Sequence, residues 1–206
     1  MFITLEGPEG SGKTSQMPAL AEYLRNAGYD VVATREPGGT AVGDQIREVL
    51  MNLKNVEIVP RTEILLFLAA RAQHVEGLIR PSLQAGKVVL CDRFSDSTLA
   101  YQGYGHQTDL DVLRSLLDFA TGGLKPDLTL LLDVPVLSGL ERKRENSAEW
   151  NRLDAYAEAF HTRVRLGYQA LAQAEPNRWV TIDATQDKES VQEEMRQVVL
   201  ERLQRR

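Results

Sequence analysis

The chain has 206 residues, of which 43% are hydrophobic and 26% charged. That is an ordinary globular balance, and it excludes a disordered tail, a collagenous chain and a disulfide scaffold. Lys and Arg total 24 against 29 Asp and Glu, a net charge of −5, which argues against broad nucleic-acid binding yet leaves room for a small phosphorylated ligand gripped by a few arginines.

Short apolar runs alternate with longer helical patterns, the mark of a single α/β domain with a parallel sheet. Strands are expected at 2–5, 31–34, 88–91, 128–132 and 179–182, each apolar through most of its length, as strands buried on both faces are. A helix over 14–27 follows the first strand, with Leu20, Tyr23 and Leu24 at helical spacing and Gly28 as its stop. Pro18 either kinks that helix or lies near enough to its start to be tolerated. A short helix follows at 42–50 and a long one at 62–84, with Leu65, Leu68, Ala69, Ala72, Leu78 and Ile79 among its apolar positions. Asp109 is placed to cap a helix over 110–120. A helix over 136–144 runs into a polar stretch, 145–152, expected to be a mobile flap. Helices over 156–174 and 188–205 complete the set.

Cys91 is the single cysteine, so no disulfide forms within the chain, and a buried structural thiol is expected. The opening MFITLEGPEG lacks a basic n-region and a cleavage site, and the longest apolar run, 64–70, is too short for a bilayer. The expectation is a cytoplasmic protein without membrane or nucleic-acid partners.

Gly7-Pro8-Glu9-Gly10-Ser11-Gly12-Lys13-Thr14 matches G-x-x-x-x-G-K-[ST], between a strand and a helix. Glycines let the loop wrap tightly and aim backbone N–H groups at a polyphosphate, and the helix N-terminus adds its positive end. In such a cradle Lys13 reaches the β- and γ-phosphates and the Thr14 hydroxyl coordinates Mg²⁺. The bland alternative is a chance glycine turn before a helix. The pattern says nucleoside triphosphate; it does not say what receives the phosphoryl group. The NKxD and DxxG motifs of GTPases and the LSGGQ signature of ABC-type ATPases are missing. A small kinase with a small acceptor remains.

Val88-Val-Leu-Cys-Asp92 is an apolar strand ending in a carboxylate that can help hold Mg²⁺, or can simply cap the next turn. Asp133 is a competing strand-end carboxylate. Arg93 follows Asp92 at once, and Arg35 ends the second strand above a Pro-Gly-Gly turn. Both are suited to bidentate grip of phosphate oxygens in the crevice of an open sheet.

Together, GPEGSGKT, REPGGT at 35–40 and DRFSDSTLAYQG at 92–103 resemble the bacterial thymidylate kinase (dTMP kinase) family of P-loop nucleoside monophosphate kinases, in its order and spacing. The likeness runs from Phe2 to the segment around Asp183. It implies a three-layer fold, a five-stranded parallel sheet flanked by helices with a lid insertion at about 141–154. It also implies a homodimer and the reaction ATP + dTMP → ADP + dTDP with Mg²⁺. The family's acceptor-phosphate arginines fall on Arg35 and Arg93. Its P-loop carboxylate near the acceptor 3′-hydroxyl falls on Glu9, its stacking phenylalanine on Phe67 and its base-carbonyl arginine on Arg71. Ser97, Thr98 and Gln102 match polar contacts of the dTMP site, and Tyr101 the ring set against the sugar. Since the P-loop carries no arginine, the lid arginines Arg142 and Arg144 are the implied catalytic ones. Arg152 matches less well, because Asn151-Arg152-Leu153-Asp154 departs from the family's usual Asp-Arg-hydrophobic-Glu ending. Asp183 resembles the loop near adenine. Two rivals stay open: a related kinase acting on another nucleotide or deoxynucleoside, and a nucleotide-binding regulator that hydrolyses ATP slowly.

Overall fold

A computed structural model describes residues 1–145 and 151–205. Five parallel strands, β1 (Phe2–Glu6), β2 (Val31–Arg35), β3 (Val88–Asp92), β4 (Leu128–Asp133) and β5 (Trp179–Asp183), form one sheet in the order β2-β3-β1-β4-β5. All the expected strands are present, and each runs one residue further at its C-terminal end. The added residues are Glu6, Arg35, Asp92, Asp133 and Asp183. An apolar run stops being readable at the first charge, whereas the backbone ladder continues; Arg35 and Asp92 are still in register. The strands therefore end in charged side chains on one edge, where open parallel sheets bind ligands.

The sheet is covered on both faces. Ile3, Leu5, Leu90, Leu130 and Leu132 pack with Leu20 and Leu24 of helix α1 (Lys13–Asn26) and with Val191, Met195 and Val199 of α9 (Lys188–Gln204). On the other side Leu131 and Trp179 meet α6 (Leu110–Thr121) and α8 (Glu158–Ala174) through Leu113, Leu117, Val164 and Leu171. Strand neighbours Phe2 and Val89 join Val75, Ile79 and Phe94. Alternate residues of a strand thus feed opposite layers, as a pleated strand requires. Cys91 is fully buried and free, as expected, and burial pushes its thiol well up.

Some helices differ from their expected form. Helix α1 runs through Pro18 to Asn26. Only the one N–H to the Thr14 carbonyl is lost, near the helix start. The chain then leaves at Gly28 (φ 92°), with Tyr29 N–H on the Leu24 carbonyl. The long helix starts at Pro60 and is not uniform: α3 (Pro60–His74) passes through a π-helical turn, Val75–Ile79, into α4 (Arg80–Gln84). Pro81 cannot donate to Gly77, and the wider turn absorbs the missing bond. The segment after β3, left without an element by its apolar pattern, is helical: α5 (Ser95–Thr98) and a π-helical stretch, Leu99–Gly105. Thr40 caps α2 (Ala41–Met51), and Asp109 caps α6 as expected.

Helix α7 (Val136–Glu145) takes in the first residue of the expected flap. Residues 146–150 of that flap lie outside the described residues. Its end is not a solvated loop: Arg152–Ala155 form a 3-10 turn, capped by Asn151, with Arg152, Leu153 and Asp154 buried. Among the described residues, no helix is long and apolar enough to cross a membrane.

Candidate active site

A cavity of about 540 Å³ opens at the C-terminal edge of the sheet. One end is the glycine-rich loop between β1 and α1. A Cβ on Gly7 (φ 147°) would stand 2.3 Å from the Leu132 carbonyl oxygen. One on Gly10 (φ 68°) would stand 1.9 Å from the Gly139 carbonyl oxygen of α7, and one on Gly139 would stand 2.2 Å from that of Glu9. The loop is therefore wedged against β4 and against the backbone of α7. Helix α1 begins at Lys13, so its N-terminal N–H groups face the same space. Lys13 Nζ donates to the carbonyls of Gly7 (3.0 Å) and Pro8 (2.9 Å) and to Ser11 Oγ (2.9 Å). Burial, with Arg93 close by, draws its ammonium down to about 8.

Thr14 and Asp92 lie side by side, the hydroxyl donating to Asp92 Oδ2 at 2.9 Å. One hydroxyl and one carboxylate suit Mg²⁺, which keeps several waters and shares phosphate oxygens instead of needing an all-protein cage. No cluster of three or more His, Cys, Asp or Glu of that kind occurs among the described residues.

The middle of the cavity is built around Arg93. Its backbone is left-handed (φ 68°), a conformation unusual for a bulky residue and characteristic of functional sites. The side chain donates to Glu9 Oε1 (2.8 Å), the Gly7 carbonyl (3.1 Å) and Tyr168 Oη (3.0 Å), and its guanidinium lies 5.0 Å over the Tyr101 ring. Tyr101 also donates to Glu9 Oε1 at 2.6 Å. Burial alone would raise the Glu9 carboxyl, but Arg93, Lys13 and Tyr101 outweigh it and carry the group down to about 2. Ser97 Oγ donates to the fully buried Glu6 (2.5 Å), which also accepts from Tyr168 (3.0 Å) and the Phe94 N–H (2.8 Å). Burial and the nearby Asp96 push Glu6 up to about 7.

The far end holds Phe67, Arg71, Thr98 and Gln102, all lining the cavity. Phe67 packs with Leu50 and Leu153. Arg71 is fixed by Glu36 (Nε, 2.7 Å), Thr98 (Nη1, 2.9 Å) and the Phe94 carbonyl (Nη2, 3.0 Å). Gln102 Nε2 donates to Glu63 Oε1 at 2.7 Å. Arg35 lines the mouth, half exposed and paired with Asp44 at 3.2 Å.

The cavity also takes in Arg142, which donates to the Ala184 carbonyl at 2.8 Å, and Lys143. Arg144, Gly7 and Asp183 are not among its lining residues. Asp183 instead closes its own turn onto Thr185, beside the lining residues Ala184 and Gln186. Arg152 is buried and bonds Glu63, Tyr156 and the Leu50 carbonyl. Sequence reasoning missed Glu6, Glu36, Arg47, Glu63, Lys143 and Tyr168. Glu36 sits inside REPGGT and could have been noticed there; Tyr168 gives no signal beyond an ordinary helical pattern.

A glycine loop feeding a helix at the sheet edge, a hydroxyl and carboxylate beside it, and a second pocket lined by arginines and an aromatic define a P-loop kinase that acts on a small phosphorylated acceptor. The comparisons agree. The family model for thymidylate kinase matches residues 5–195. The chain is 51% identical over 204 residues to a thymidylate kinase of Exiguobacterium sp., covering 99% of this chain and 96% of the relative. It is 54% identical over 204 residues to one of Thermomicrobium roseum, with the same coverage. The solved thymidylate kinase of Ehrlichia chaffeensis superposes with a TM-score of 0.79 at 38% identity, covering 97% of this chain and 98% of that one. The chain belongs to the thymidylate kinase family.

Proposed function

We infer that the chain transfers the γ-phosphoryl group of ATP to dTMP, giving ADP and dTDP. The observation that carries this reading is the two-ended cavity: a triphosphate cradle and an aromatic, amide-lined pocket joined through Glu9 and Arg93. The acceptor is already an anionic phosphate, so no general base is needed. Catalysis is positioning and charge stabilisation.

In this reading Gly10, Ser11 and Gly12 offer N–H groups to ATP, and Lys13 releases its loop carbonyls to meet the β- and γ-phosphates. Arg35 and Arg93 align the dTMP phosphate, with Glu9 holding Arg93 in place and facing the 3′-hydroxyl. Phe67 stacks on the base, Arg71, Thr98 and Gln102 read its edge, and Tyr101 packs on the sugar. Arg142 and Arg144 neutralise charge on the transferring group. Thr14 and Asp92 would hold Mg²⁺, which screens the phosphate oxygens. We read the enzyme as a cytoplasmic homodimer. Leu65, Val112 and Phe119, more than half exposed on α3 and α6, support the dimer, as does the largely apolar depression lined by Ile64, Leu65, Val112 and Leu116.

A panel of dTMP, dUMP, dCMP, dGMP and thymidine, each with ATP and Mg²⁺, tests the reading. dTMP should give the highest kcat/KM. Preference for another acceptor, or ATP hydrolysis indifferent to acceptor, would overturn it.

A further inference from the structure

Glu63 does not line the cavity, yet it holds a residue that does. It lies on α3 one turn before Phe67 and two before Arg71, on the same face. Its carboxylate is fully buried and fourfold engaged. Oε1 accepts from Gln102 Nε2 (2.7 Å) and lies 3.2 Å from His106 Nε2. Oε2 accepts from Arg152 Nη2 (2.5 Å) and Tyr156 Oη (3.2 Å). These partners keep it ionised: against the upward pull of burial, His106, Gln102 and Arg152 bring it down to about 2.

An ionised carboxylate only accepts, so the Gln102 atom facing it must be the NH₂ group. That settles which way the amide points, a choice otherwise left to convention. Among the described residues nothing donates to Gln102 Oε1. Nor is that oxygen one of the buried polar atoms without a partner, which are Asp154 Oδ1, His161 Nε2 and Trp179 Nε1. Gln102 Oε1 therefore meets open space, and the space beside Gln102 is the cavity.

We propose that Glu63 is a positioning residue for acceptor selection: by holding the Gln102 NH₂ it makes the carbonyl oxygen the group the pocket presents. An oxygen acceptor favours a base whose ring nitrogen carries hydrogen, as thymine N3 does. It disfavours one whose ring nitrogen is itself an acceptor, as in cytosine. The inference rests on the dTMP reading above and adds the source of its selectivity.

Glu63→Gln tests it. Arg152 has only donors, so it claims the new side-chain oxygen. The new NH₂ then faces Gln102, which must turn its own oxygen inward and its NH₂ to the cavity. The expected result is a ratio of kcat/KM for dTMP over dCMP that falls by about tenfold or more, mostly through KM for dTMP. Arg152→Met removes the ion pair but leaves the carboxylate on Gln102, so Tm should fall while the ratio holds. If Glu63→Gln does not fold, Glu63→Leu with Arg152→Met removes the buried pair as a whole and leaves no acceptor facing Gln102, so the amide is no longer held and the ratio should again fall. An unchanged ratio in whichever Glu63 variant folds overturns the proposal, as does Arg152→Met shifting the ratio equally. An unmodified enzyme that prefers another acceptor overturns the dTMP reading and takes this one with it.

Discussion

Replacing Glu9 by Gln keeps the shape of the side chain and removes its charge, which isolates the electrostatic link between the two ends of the site. Glu9 and Arg93 are 2.8 Å apart with side chains 12% and 18% exposed, and Tyr101 shares the same carboxylate oxygen. Binding that takes the carboxyl from 4.5 to about 2 corresponds to roughly 3 kcal/mol of stability. In a chain of this size, Glu9→Gln should lower Tm at pH 7 by about 6–12 °C. The sign of the pH dependence follows from the depressed value. The contribution is fully present above the unfolded value of 4.5 and is lost as pH falls through the folded value of about 2. Thermal melts of the unmodified protein and the variant, run from pH 7 down to pH 3, should therefore show a gap that narrows below about pH 4.5. A gap that stays constant across that range would refute the electrostatic account and leave only a packing defect. Because Arg93 loses its anchor, KM for dTMP should also rise.

Three further outcomes are expected. Arg142→Ala and Arg144→Ala should lower kcat far more than they weaken dTMP binding, on the order of 10³ for an arginine that meets the transferring group; a coupled ADP-release assay with unchanged kcat would remove the residue from that role. Gln102→Ala should raise KM for dTMP by about tenfold while leaving KM for ATP in place, and a change confined to ATP would mean that the base pocket is assigned to the wrong end. Asp92→Asn should raise the Mg²⁺ concentration needed for half-maximal rate, measured by metal titration at saturating ATP and dTMP; an unaltered titration would take Asp92 out of the metal's reach.

Most of the sheet was legible because every strand is buried on both sides and so reads as an apolar run. The runs themselves stop one residue short of each strand's end; Asp92 and Arg35 were readable only because each charge directly follows an apolar run. The long helix after Pro60 was legible as a helix, but its π-helical turn was not, since Pro81 interrupts the bond pattern without interrupting the apolar spacing. In the site, residues next to one another in a motif were readable: Lys13 with Thr14, Asp92 with Arg93. Residues whose role comes from distant partners were not. Glu63 earns its place from Gln102, His106 and Arg152, and Glu6 from Ser97 and Tyr168. No local pattern marks such partners. Arg152 was read as part of a flap because its neighbours are polar, yet it is buried because Glu63 waits for it across the fold.

The close approach of Gly10 and Gly139 has a mechanical consequence. Two backbones in contact leave no side chain between them to bend or repack, so the start of α7 is a fixed fulcrum on the phosphate loop. Arg142 stands three residues beyond it and Arg144 five, about 4.5 and 7.5 Å along the helix axis. Their lever arms are short, and any reshaping of the loop by a triphosphate reaches them directly through rigid helix. On the proposed reading, the loop that would grip ATP and the arginines that would answer its charge are geared to one another by a pair of glycines.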